Sequence, residues 1–154
     1  SSCWGLHSCH MGVAKALKAL AAIPQKNRSE AVTAKIKQLS EYFLMHHLYK
    51  KSHDLFSISK PGWLKFGFPL MYQTDVLELL GIFADLQIND PRLDDAIAVV
   101  ESKRSDSGTW LMENSYNGKT LVSIEHKGKP SKWITLKAMK TLKNIHVGSK
   151  HFYT

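Results

Sequence analysis

The first ten residues hold an unusual density of side chains that bind metals. Cys3, His7, Cys9 and His10 fall in one short stretch. Thiolate sulfur and imidazole nitrogen are good zinc ligands, but a site needs several of them to converge. His7 and Cys9 are the nearest candidates, and His47 and His53 complete the set if the intervening loop folds over the helix start. Asp54 is a further donor. Zinc is the cofactor this grouping implies. A carboxylate of a different kind stands at Asp75, after Tyr72-Gln73-Thr74 at a predicted helix start. An inward-facing Asp there can serve as acid, base or ligand, or simply accept hydrogen bonds from the helix N–H groups. Asp75, His10 and Tyr72 are the candidate catalytic groups. Trp4, Trp63, Phe68 and Trp133 gather at loops and helix starts, with Lys132 beside the last of them, and form a candidate binding surface.

Five helices are needed to position these residues. Apolar spacing predicts the first from about Cys9 to Ile23, stopped by Pro24, and the second from about Ser29 to Tyr49, with Ser29 as its cap and Val32, Ile36, Leu39 and Phe43 as its stripe. A third, apolar on most faces, runs from about Tyr72 to Leu86. A fourth starts after Asp90-Pro91, and a fifth runs from about Ser131 to Ile145. No segment shows sustained strand alternation. Thr120 to Ile124 is the nearest, as a short extended piece. The predicted class is all-α.

The helices repeat. Val13 to Leu17 aligns with Val76 to Leu80 and with Leu136 to Lys140, at a period of roughly 60 residues. The unit is helix, short turn, helix, long loop, which places the starts of the odd-numbered helices and both long loops at one end. His7, His10, His46, His47, His53 and His126 are then expected at that end as a histidine-rich, anion-attracting mouth.

Bulk properties narrow the function. The 154 residues suit one domain, and the 44% apolar share excludes a disordered chain. No apolar run is long enough for a membrane span, and no secretory leader is visible. The chain reads as the C-terminal part of a longer protein. Its two cysteines form no disulfide framework, so a cytoplasmic setting is expected, with a Cys3–Cys9 bridge the alternative on export. A net charge of +8 favours anionic partners. The lysines are scattered along helices, without an arginine-rich or aromatic-interleaved run, so nucleic acid is not the expected partner.

"AIAVVESKRSDSGTW", around Gly108 and Trp110, resembles the repeat signature of squalene and hopene cyclases, with Arg104 where that signature has Gln. "CWG" at Cys3 to Gly5, "KPGWLKFG" around Trp63 and "KPSKWITLKAMKTLK" resemble further copies. The chain is therefore similar to the terpenoid cyclase and protein prenyltransferase superfamily over most of its length. The resemblance implies antiparallel helical hairpins forming part of an α/α toroid, with the first, third and fifth helices inside. It also implies an aromatic lining that stabilises carbocations, and a His-bearing zinc segment at His7-Ser8-Cys9; the Asp and Cys segment that partners it in prenyltransferases has no counterpart. The function implied is an enzyme acting on an apolar or isoprenoid-like substrate in a central cavity. The alternative is a non-catalytic helical-repeat scaffold for a peptide, lipid or protein partner. Self-association through the open ends of such an array is a further expectation.

Overall fold

Ser29 and Asp75 set where two of the helices begin, and Asp90 opens the short 3-10 turn Pro91–Leu93 that leads into a third. The Ser29 side chain accepts from the Val32 N–H at 3.3 Å, Asp75 from the Glu78 N–H at 2.7 Å, and Asp90 from the Arg92 N–H at 2.9 Å. Each satisfies an N–H that has no partner within its own helix. The computed structural model describes residues 9–149, with side chains through Ile145. Helix α1 spans His10–Ala21, α2 Glu30–Met45, α3 Val76–Asp85, α4 Asp94–Ser102 and α5 Lys132–Ser149.

Helix α2 stops at Met45, short of the predicted Tyr49, and α3 starts at Val76 rather than at the predicted Tyr72, because Asp75 caps it there; both helices end in left-handed turns. After Met45 the backbone turns left-handed at His47 (φ 42°) and Leu48 (φ 68°), and the Leu48 N–H donates back to the Phe43 carbonyl at 2.9 Å. After α3, Gln87 takes φ 57° and the Ile88 N–H donates to the Phe83 carbonyl at 3.0 Å. Both are Schellman-type closures, in which an apolar residue beyond the cap seals the helix end. Leu48 is fully buried in that role.

Helices α1, α3 and α5 lie side by side, with α2 packed on α1 and α4 on α3. The contacts of α3 make it the central helix. Val76, Leu77, Glu78, Leu79, Leu80, Ile82, Phe83 and Ala84 are all buried. Around it the core takes in Leu17, Phe43, Leu93, Trp110, Met112 and Ile134.

The expected all-α toroid segment is corrected by two small sheets. The chain is about 52% helical and mixed. Strand β1 (Lys50–Lys51) pairs antiparallel with β2 (Asp54–Ile58), and β3 (Trp110–Leu111) pairs antiparallel with β4 (Pro130–Ser131). Pairings of two to five residues are too short to leave a period-2 signal, and Lys50-Lys51 and Pro130-Ser131 are not strand-forming residues. Thr120 to Ile124, the segment with the better alternation, is not a strand. An Asn117 side-chain N–H donates to the Glu125 carbonyl at 2.7 Å across that stretch and closes it as a loop.

Trp110 ties the α4 corner to the core. Its indole N–H donates to the Val100 carbonyl at 2.7 Å, its backbone N–H donates to Thr135 Oγ1 at 3.0 Å, and the Arg104 guanidinium lies 5.7 Å from its ring. Gly108, at φ 76°, makes the turn that returns the chain to this point. Trp110→Ala is expected to lower unfolding free energy by about 3–5 kcal/mol in chemical denaturation, and Trp110→Phe by about 1–2 kcal/mol through the orphaned carbonyl.

Candidate functional site

One short segment, residues 63–68, touches the first turns of three helices. Trp63 stacks on His10 at the start of α1, with ring centroids 3.6 Å apart and planes 10° from parallel. The Gly67 N–H donates to Asp75, the cap of α3, at 3.1 Å. Phe68 stacks on Trp133 in the first turn of α5 at 5.2 Å. The odd-numbered helices thus begin against a shared connector. The Phe66 carbonyl anchors that connector to the second long loop by accepting from the Glu113 and Asn114 N–H groups, each at 2.9 Å.

The candidate residues do not form one cluster. Phe68, Trp133 and Lys132 come together, with Lys132 Nζ 5.6 Å from the Trp133 ring. His10 is buried beneath Trp63 and edge-on to Phe43, and its Nε2 has no hydrogen-bond partner. Burial, together with the charges of His46 and Lys60, pulls its pKa down to about 3. Asp75 is only 2% exposed, and its two oxygens accept from Glu78 N–H and Gly67 N–H. Burial pushes its pKa up to about 6 against those two bonds. Tyr72 is exposed beside Tyr116.

The metal candidates are also scattered. Cys9 is the residue before α1, His47 hydrogen-bonds Asp95 at 2.7 Å, and His53 is exposed in the β1–β2 turn. Trp4 and His7 lie outside the described residues. Among the described residues no three His, Cys, Asp or Glu side chains gather into a metal-binding group. The expected histidine mouth does not close as one group: His10 and His46 both pack on Tyr42, with ring centroids at 6.2 and 5.0 Å, while His47 turns to Asp95. His46 faces the Lys50 carbonyl at 3.0 Å, and His126 is exposed in the second loop.

The three adjacent helices instead create a cleft of about 290 Å³ further along their length. Its apolar wall is Ala21, Ala22, Leu77, Gly81 and Ile82, and its polar groups are Lys18, Glu78, Asp85, Lys137, Lys140, Thr141 and Asn144. Glu78 accepts from Lys15 at 2.8 Å and Lys18 at 2.7 Å. Burial raises the Glu78 pKa, but the two lysine hydrogen bonds outweigh it and leave the carboxyl below its ordinary value. Lys140 pairs with Asp85 at 3.1 Å. Lys137 differs from its neighbours. Its Nζ lies 5.6 Å from the Phe68 ring, and among the described residues it has no ion pair. Burial lowers its pKa; Asp75 and Glu78 raise it, and Lys18 and Lys15 oppose them.

No family model, curated protein or solved structure matches this chain.

Four lysines (Lys15, Lys18, Lys137 and Lys140) therefore surround two carboxylates, Glu78 and Asp85. The Arg28 guanidinium also donates to the Ala21 and Ile23 carbonyls at the end of α1, covering the negative pole of that helix. The cleft carries surplus positive charge beside an apolar wall. These lysines are not of the residue types that mark a reactive site in a sequence. The available signal was spacing: Lys15 and Lys18, like Lys137 and Lys140, are three apart and so share one helix face. Glu78, alone in an apolar run, was the matching acid.

His10 and Asp75 impose opposite pH dependences. The folded pKa of His10, about 3, lies below its ordinary 6.5, so the unfolded chain binds the extra proton. Its contribution is complete above pH 6.5 and is lost as pH falls toward 3. The folded pKa of Asp75, about 6, lies above its ordinary 3.8. The folded chain then holds the extra proton, and stability declines as pH rises between those values. Denaturation midpoints should show the His10→Phe variant gaining on the parent as pH drops below 6.5, and Asp75→Asn gaining on it as pH rises from 3.8 through 6, each by up to about 1.4 kcal/mol per pH unit. Parallel profiles for parent and variants would show that neither group titrates differently on folding.

Proposed function

We propose that the chain binds a small amphipathic anion, with a carboxylate or phosphate head and an apolar body, in the cleft between α1, α3 and α5. One observation carries this reading: Lys137, half-buried at the cleft, has no ion pair of its own among the described residues. An arriving anion would give Lys137 the counter-charge that Glu78 gives Lys15 and Lys18, and a charge-assisted bond at a partly buried site is stronger than one in water. Thr141 and Asn144 add neutral donors, and Leu77, Ile82 and the α1 alanines offer an apolar surface. A volume of about 290 Å³ is close to the lower end of small-molecule sites, so the ligand is short or only partly enclosed.

An isoprenoid-like acid meets this description, and the resemblance to terpenoid enzymes agrees with it. Binding is better supported than concerted acid–base catalysis. Both Asp75 oxygens are engaged by backbone N–H groups, His10 is sealed under Trp63, and Tyr72 stands apart from both.

Titration calorimetry with decanoate, decyl phosphate and decanol tests the reading. Both anions should bind and the alcohol should not, with affinity falling as salt rises. Lys137→Gln should weaken anion binding about tenfold, near 1.4 kcal/mol, while Lys35→Gln on exposed α2 leaves it unchanged. Equal binding of decanol, or an unaltered Lys137→Gln, would remove the basis for the proposal.

A further inference from the structure

The β1–β2 hairpin presents apolar side chains to the outside of the described structure. Phe56 is fully exposed, and Leu55 and Ile58 are also exposed. Successive strand residues point to opposite faces, so Leu55 stands on one side of the ribbon and Phe56 and Ile58 on the other. The base of the hairpin is held firmly. Lys50 Nζ reaches Asp95 of α4 at 2.6 Å, the Lys50 carbonyl faces His46 at 3.0 Å, and the Ser59 N–H donates to the Tyr49 carbonyl at 2.9 Å. Next to these apolar residues along the chain, Lys51 and Lys60 are exposed, with Lys60 Nζ 5.8 Å from the Trp63 ring. The hairpin's own acid, Asp54, is turned inward onto the Phe56 N–H and the Ser57 hydroxyl. Exposed apolar residues with cations beside them recur in the second long loop, where Leu121, Val122 and Ile124 are exposed along with Lys119, Lys127 and Lys129. That loop leads into α5, whose first turn stacks on the connector into α3.

We propose that the β1–β2 hairpin docks the protein on an anionic lipid surface, inserting Leu55, Phe56 and Ile58 among the acyl chains while the flanking lysines meet the headgroups. A protein groove would cover one face of the ribbon and leave the other apolar face in water. A bilayer interface can take up side chains from both faces of strand β2, along which Leu55, Phe56 and Ile58 lie. The charge pattern complements an acidic membrane, and the chain as a whole carries +8. Apolar insertion and basic attraction together supply the two signals that lasting peripheral attachment needs. Among the described residues no helix is long and apolar enough to cross a membrane.

Vesicle flotation of the whole chain tests this with phosphatidylcholine alone and with phosphatidylcholine mixed with phosphatidylglycerol. The parent should float with the anionic vesicles only. The combined Leu55→Ser, Phe56→Ser and Ile58→Ser variant should lose about tenfold or more in partitioning, since each side chain forfeits its apolar transfer. The thermal midpoint of the single Phe56→Ser variant should stay unchanged, because that side chain is already fully in water. If the triple variant fails to fold, the single Phe56→Ser reads the same effect. Anion binding in the α1–α3–α5 cleft should be unaffected by either, so the two proposals fail separately. A parent that floats with neither vesicle, or serine variants that partition as the parent does, would overturn the inference, including in favour of a protein partner at the hairpin.

Discussion

The carboxylate of Glu78, held by Lys15 at 2.8 Å and Lys18 at 2.7 Å, allows α3 to sit in the middle of the helices. The helix is otherwise an apolar run, buried on nearly every side. A single charge within such a surface would cost about 3–5 kcal/mol if left unpaired. Two ammonium groups from α1 meet it, so burying α3 also fixes how α1 lies against it. Thr141 of α5 is held almost as closely on the other side, because its Oγ1 lies 3.2 Å from where a Cβ on Gly81 would stand. Glycine at that position lets α5 approach α3 and narrows the cleft between them.

The cleft follows from the same constraint. Three neighbouring helices leave a gap between their side chains, and its chemistry depends on what those faces carry. Lysines spaced three apart on α1 and α5 fill it with cations, and the available carboxylates do not match them all. The positive surplus comes at a stability cost. It persists among otherwise well-paired side chains such as Arg92, which reaches both Glu41 and Asp90. A fold of this kind can host catalytic or purely binding sites, and its function has to be read from the site itself. Here the reactive groups are dispersed or sealed, and the surplus cations adjoin the apolar wall.

Loops of the length seen between α2 and α3 and between α4 and α5 usually carry function. In this chain they do two jobs. Residues 63–68 fix the starts of three helices through the His10–Trp63 stack, the Gly67–Asp75 hydrogen bond and the Phe68–Trp133 stack. The remaining parts, from Lys50 to Ile58 and around Leu121, turn apolar residues outward. Aromatic area is buried in the structural part, and the outward part is available for an external surface.

All five helices were legible along the chain, because 3.6-residue spacing, the Ser29 cap, Asp90-Pro91 and Pro24 are local signals that need no knowledge of neighbours, although the third begins at Val76 rather than at Tyr72. The two sheets were hidden, since pairings of two to five residues depend on a partner distant in the chain rather than on a pattern within either strand. The histidines looked like a cluster because several share one end of the chain's repeating units. Side-chain direction sent His10 into the core, His47 to Asp95 and His53 to solvent. The lysine-lined cleft appeared only once α1, α3 and α5 lay side by side. Its charge balance is a sum over three helices, and no single segment contains it.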